Sequence, residues 1–106
     1  MEGVWTWVDG AEDIATEDGF AVGDEVAWPA LTSGFDELLP VLPPGFEDPV
    51  ESAVDDDGDG VVAGTILRIV MATGRRRTVA HEITATPAEH VQVLDLAGFL
   101  VEVDPG

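Results

Sequence analysis

The stretch Phe20-Ala21-Val22-Gly23-Asp24-Glu25-Val26-Ala27-Trp28-Pro29 decides how the rest of the chain is read. Gly23-Asp24 is a turn pair: glycine reaches backbone conformations closed to other residues, and a short Asp side chain bonds nearby backbone. Past the turn, Val26 and Trp28 fall on one side of an extended chain and Glu25 and Ala27 on the other, the period-two pattern of a half-buried strand. Pro29 lacks an amide proton and is expected to stop this strand or mark an edge. A turn feeding such a strand predicts a small β-rich domain.

The sequence on either side repeats the signal. Val4-Trp5-Thr6-Trp7-Val8 is a β-branched and aromatic run closed by Asp9-Gly10, which predicts a first strand with Trp5 and Trp7 on one face. Residues 11–19 surround Ile14 and Ala15 with acids and read as an exposed connection. Residues 30–60 contain Pro40, Pro43, Pro44 and Pro49, which exclude a long helix or a central strand. Ser33 and Asp36 resemble a capping box before a turn of helix ending at Pro40. Leu38, Leu39, Val41, Leu42 and Phe46 are too apolar for a free linker, so this long Pro-rich loop is expected to lie across the core.

Val61 to Thr73 is the longest strand expected, with Gly64 as a bulge or bend inside it. Gly74-Arg75-Arg76 turns it into a strand over Arg77 to Ala85, whose Val79, His81 and Ile83 form the expected inward face. Thr86-Pro87-Ala88-Glu89 carries a helix-start pattern, but the β-favouring run behind it limits this to one helical turn. Val91 to Leu96 and Phe99 to Val103 are the last strands, separated or bent at Gly98. The expected architecture is mainly β: a small antiparallel barrel with a long Pro-rich loop and one short helical turn.

A chain of 106 residues supports one core, so residues 1–106 are read as a single domain. Its 45% hydrophobic content, with three Trp and four Phe, opposes wholesale disorder despite the charge. The formal charge is −18, and residues 1–60 contribute 17 acids with no Lys or Arg. Residues 61–106 nearly balance, with 5 acids against 4 Arg. Such a chain cannot neutralise phosphates, so direct nucleic-acid binding is excluded, and so is docking on an anionic membrane surface. Three accounts of the acidity stay open: a solvated surface, a surface that meets a basic partner, and a mimic of nucleic acid.

Cysteine is absent, which removes disulfides, zinc thiolates and thiol nucleophiles. Met1 to Trp5 lacks a basic leader, and even the apolar run Val61 to Met71 is interrupted by Arg68, so a soluble cytoplasmic protein is expected.

The sharpest chemical motif is Asp55-Asp56-Asp57-Gly58-Asp59-Gly60-Val61-Val62. Acids at 55, 57 and 59, Gly60 and apolar Val62 match the first eight positions of an EF-hand calcium loop, making Asp55, Asp57 and Asp59 the candidate metal ligands. The match ends at Ile66, where the bidentate carboxylate belongs; Glu47 or Glu51 would have to replace it. The other reading is a solvated acidic loop tip. Arg75-Arg76-Arg77 is the sole cationic cluster, fit either to pair with an acidic or phosphorylated group or to relieve the chain's own field. His81 and His90 have adjacent acids at Glu82 and Glu89, but strand neighbours point to opposite faces, so neither pair is a dyad. Ser33 and Ser52 sit in polar or loop contexts without a nearby base, and no nucleotide-loop, zinc-protease or nucleophile-elbow pattern occurs. No catalytic residue is assigned. The Trp residues could line a groove, but at least two of Trp5, Trp7 and Trp28 are expected in the core.

Val4 to Trp7, the acidic connection and Phe20 to Pro29 resemble the opening of an actinobacterial family, domain of unknown function 6578. The family's Trp-Gln and paired-Cys segment before the Phe is replaced here by Glu12 to Asp18, and the resemblance implies no activity. Separately, the order of a Gly-Asp turn strand, long loop, long bent strand, hairpin and helical turn is similar to SH3-like barrels, which implies a binding module by analogy. The leading functional reading is a non-enzymatic module for a basic protein partner. A mimic inhibitor of a DNA-binding protein or nuclease and a calcium-binding module are the alternatives.

Overall fold

Six strands run through the computed structural model, which describes residues 3–9, 19–34, 50–74, 77–86 and 95–105. They are β1 (Val4–Asp9), β2 (Glu25–Leu31), β3 (Val50–Val54), β4 (Gly60–Thr73), β5 (Val79–Ile83) and β6 (Leu96–Asp104). The protein is mainly β. Expectations for the acidic connection at 11–18, for most of the Pro-rich loop and for the helical turn after Thr86 fall outside the described residues.

The strand order is β2-β3-β1-β6-β4-β5, and β2 also pairs with β4. Five strands therefore form a closed circuit, β2-β3-β1-β6-β4 and back to β2, with β5 attached outside it to β4. The circuit is staggered. Ala53 leads through Trp7 and Leu100 to Val70, whereas its neighbour Val54 leads through Ala30 to Gly60, so the two routes meet β4 about ten residues apart. Only a long strand can accept both routes, which explains the length of β4. Its partner changes at the bend: Gly64 pairs with Val26 of β2, and Thr65 pairs with both Glu25 of β2 and Asp104 of β6. Gly64 has φ 147°, and a Cβ there would run into the Asp104 carbonyl, so glycine is required both by conformation and by the close approach.

Two expectations about strands are corrected. The segment read as loop contains β3, which lies between β1 and β2 and runs parallel to β1, so the circuit is mixed and not wholly antiparallel. The prolines end at Pro49, and a strand beginning at Val50 violates none of their constraints. The second correction concerns Pro29, which sits inside β2 instead of ending it. Its carbonyl accepts the Asp55 amide at 3.0 Å, so its backbone faces the β3 side where that ladder finishes, and the missing N–H costs β4 no bond. The start of the opening stretch also differs. Residues 20–24 precede the strand as a turn: the Asp24 amide donates to the Ala21 carbonyl, and the Ala21 amide donates back to Asp24 Oδ2 at 2.9 Å.

Side chains divide by parity. Val8, Trp28, Val54, Val62, Ile66, Ile69, Phe99, Val101 and Val103 form one buried cluster with Phe20 and Ala30. Phe20 meets Trp28 and Phe99 edge-on, at centroid distances of 5.1 and 5.6 Å. Trp5, Trp7, Val50, Ala53, Val70, Ala72 and Leu100 form a second cluster. All three Trp residues are thus core, with Trp5 and Trp7 together as expected. Gly98 lies within a continuous β6, where its bare Cα admits the Trp7 ring and the Val8 carbonyl, each 2.5 Å from where a Cβ would stand.

The expected inward face of β5 is corrected in extent. Val79, His81 and Ile83 pair with Thr73, Met71 and Ile69, so their parity is the one expected, yet Val79 and His81 are exposed and only Ile83 packs on the core. Because β5 hangs outside the circuit, most of its length has no core beneath it.

Candidate functional site

Where β1 begins and β6 finishes, the circuit opens into a groove of about 310 Å³. That volume is at the lower end of the range for ligand sites. Val4, Val62 and Val103 supply its inner wall; Val61, Ala63 and Pro105 continue the apolar lining outward. The polar lining comes from Thr32, Glu51 and Ser52.

Each polar group is placed by a local irregularity. Between the pairs Trp5↔Val50 and Thr6↔Ser52 the parallel ladder carries an extra residue, so Glu51 is bulged and exposed while Val50 and Ser52 are buried. Ser52 is therefore a core serine and not the loop serine expected: its hydroxyl donates to Thr6 Oγ1 at 2.8 Å. Thr32 follows β2 on the groove, and its amide donates to Asp59 Oδ1 at 3.3 Å, which sets a second carboxylate beside it.

The backbone of β4 completes the site. Because Pro29 faces β3, its partner Val61 must direct its N–H and C=O away from β2, and so must Ala63 two residues on. Ile66, of the opposite parity, bonds the turn before β2: its amide donates to the Asp24 carbonyl and its carbonyl accepts from Gly23. Thr65, of the same parity as Val61 and Ala63, pairs with Asp104 at the end of β6. Among the described residues, positions 60–64 have β2 as their only ladder partner. The N–H and C=O groups of Val61 and Ala63 thus face away from β2. Val61 is also the most exposed large hydrophobic among the described residues, at 67%.

The Asp loop is a turn between β3 and β4. Asp55 Oδ1 accepts the Asp57 amide at 2.8 Å and the Asp55 carbonyl accepts the Gly58 amide, a turn that carries the chain over Ala30 from β3 to β4. Asp59 is engaged with Thr32. Among the described residues no group of three or more His, Cys, Asp or Glu side chains is placed to hold a metal ion. Arg77 is exposed, while Arg75, Arg76 and His90 lie outside the described residues, as does Glu47. His81 stands 3.1 Å from Thr73 Oγ1, and Ser33 is exposed. Arg68, which no motif singled out, bridges strands: it reaches Glu82 at 2.7 Å and lies over the Trp5 ring at 5.5 Å. No helix among the described residues is long and apolar enough to cross a membrane.

Comparison of the chain with protein-family models, with curated proteins and with solved structures finds no match.

Proposed function

We propose that this chain is a small acidic barrel, SH3-like in the order of its turn strand, long bent strand and hairpin, that works as a non-enzymatic module binding a basic protein. Closure of the strand circuit with a stagger of about ten residues supports the barrel. The parallel β1–β3 pair is its departure from an antiparallel SH3 plan. The observation that carries the function is the groove: an apolar concavity with Glu51 on its lining and Asp59 bonded to Thr32 beside it, in a chain of charge −18. No lining residue is basic. Such a surface steers a cationic partner inward and gives it apolar area to bury. Principal extents of 33 × 28 × 26 Å provide no long axis for phosphate-like rows, which favours this reading over a nucleic-acid mimic.

The test is affinity capture from source cells at roughly 0.15 M salt, repeated with excess polyglutamate. A basic protein that stays bound against polyglutamate, and leaves at high salt, supports the reading. Complete displacement by polyglutamate, or no salt-sensitive capture, removes it.

A further inference from the structure

We propose that the groove takes one long cationic side chain of the partner, an arginine, with its methylene stem along the apolar wall and its guanidinium at Glu51. This rests on the reading of the chain as a module for a basic protein, and it names the group that the groove recognises.

The lining joins two chemistries in one small space. Val4, Val62 and Val103 form the apolar wall, and Val62 and Val103 are themselves buried. Glu51 lines the same concavity, bulged out of the ladder between β1 and β3. A wholly apolar occupant would strip water from that carboxylate without replacing it, and a bare small cation would leave the wall wet. Arginine and lysine carry an apolar stem and a cation in one piece, and they lay the stem on apolar surface while the head stays near water. A volume of about 310 Å³ suits one such side chain.

The polar side chains of the lining are left to accept hydrogen bonds. Ser52 Oγ spends its proton on Thr6 Oγ1 at 2.8 Å, so the capacity that remains to it is that of an acceptor. Thr32 Oγ1 stands 3.5 Å from each carboxylate oxygen of Asp59, which directs its proton there. Glu51 is exposed, and among the described residues no ion pair or hydrogen bond engages its carboxylate. Groups that accept call for a ligand that donates, and a guanidinium or an ammonium has no acceptor at all. Arginine is the better match of the two: its planar fork can meet a carboxylate with two parallel bonds, and its weaker hydration suits a half-apolar site.

The chain's own described cations are elsewhere. Arg68 is engaged with Glu82 and Trp5 across the sheet, and Arg77 follows β4 at its far end. A net charge of −18 draws an outside cation inward.

The experiment titrates the isotope-labelled whole chain with N-acetyl-arginine amide and follows the backbone amide shifts. They should gather on Glu51, Ser52, Val62 and Val103 and saturate with a Kd on the order of 1 mM. N-acetyl-citrulline amide, which keeps the shape without the charge, should bind at least about tenfold more weakly, and so should the guanidinium ion, which has the head without the stem. Glu51→Gln should cost a similar factor. Glu25→Gln, an equal loss of charge at the end of β2 away from Thr32, should change affinity less than about twofold. Citrulline or bare guanidinium binding as tightly as the arginine amide, a lysine amide binding more tightly, or Glu51→Gln matching Glu25→Gln overturns the proposal. So does the absence of saturable shifts in the groove. Capture of a basic protein in that case leaves the acidic-module reading standing, and failure of both removes both.

Discussion

Gly64 concentrates the backbone demands of the fold in one residue. At φ 147°, with the Asp104 carbonyl where its Cβ would be, Gly64→Ala adds both conformational strain and a clash with backbone that cannot rotate away. The expected loss is about 2–4 kcal/mol in denaturant unfolding, far above an ordinary surface change. Its neighbours make a sharper test of direction. Ala63 turns its N–H away from β2 and Val62 turns its own to Trp28, so Ala63→Pro removes no bond to β2 and should cost about 1 kcal/mol, while Val62→Pro costs about 3 kcal/mol or more. Equal costs at the two positions would show that the parity is wrong. Gly64 was legible as a bend because glycine inside an apolar β run has few other uses. Pro29 misled, because the rule that proline ends strands leaves out which side its missing donor faces.

At the scale of elements, β5 is the loosely held one. Among the described residues its ladder is with β4 alone, and beside Ile83 on the core it is joined to β4 by the Arg68–Glu82 pair, whose side chains are 52% and 63% exposed. An exposed pair of this kind is screened by water and salt, so a double-mutant cycle should return a coupling below about 1 kcal/mol that shrinks further in salt. A larger, salt-insensitive coupling would mean that β5 is clamped. The same geometry explains why its face was misjudged: alternation shows which side chains share a face, and burial depends on what lies opposite. The central strand β3 was hidden for another reason. It has five residues, and its parallel partner β1 is about forty residues away, so no local turn announces the pairing. By contrast β1, β4 and the Trp5–Trp7 face were legible, since each is a long or aromatic run with clear boundaries.

For the whole molecule the charge dominates. With −18 on 106 residues and no compensating cation before Arg68, like charges repel across the folded surface. Thermal stability should therefore rise by several degrees between low salt and roughly 0.5 M sodium chloride, as screening shortens the range of that repulsion. A flat or falling Tm would indicate that the carboxylates are spaced widely enough not to interact. The acidity of the site was plain in the sequence, but the groove was not. Val4, Ser52, Val62 and Val103 come from four strands and meet only through non-local pairing, while the motif that stood out, the Asp loop, spends Asp55 on its own turn and Asp59 on Thr32.

Binding of a basic partner in the groove at the start of β4 is tested most directly by residue-resolved chemical-shift mapping. Adding the captured basic protein should shift the backbone amides of Glu51, Ser52, Val62 and Val103 and leave those of β5 in place. Shifts that spare the groove and gather on another surface would contradict it.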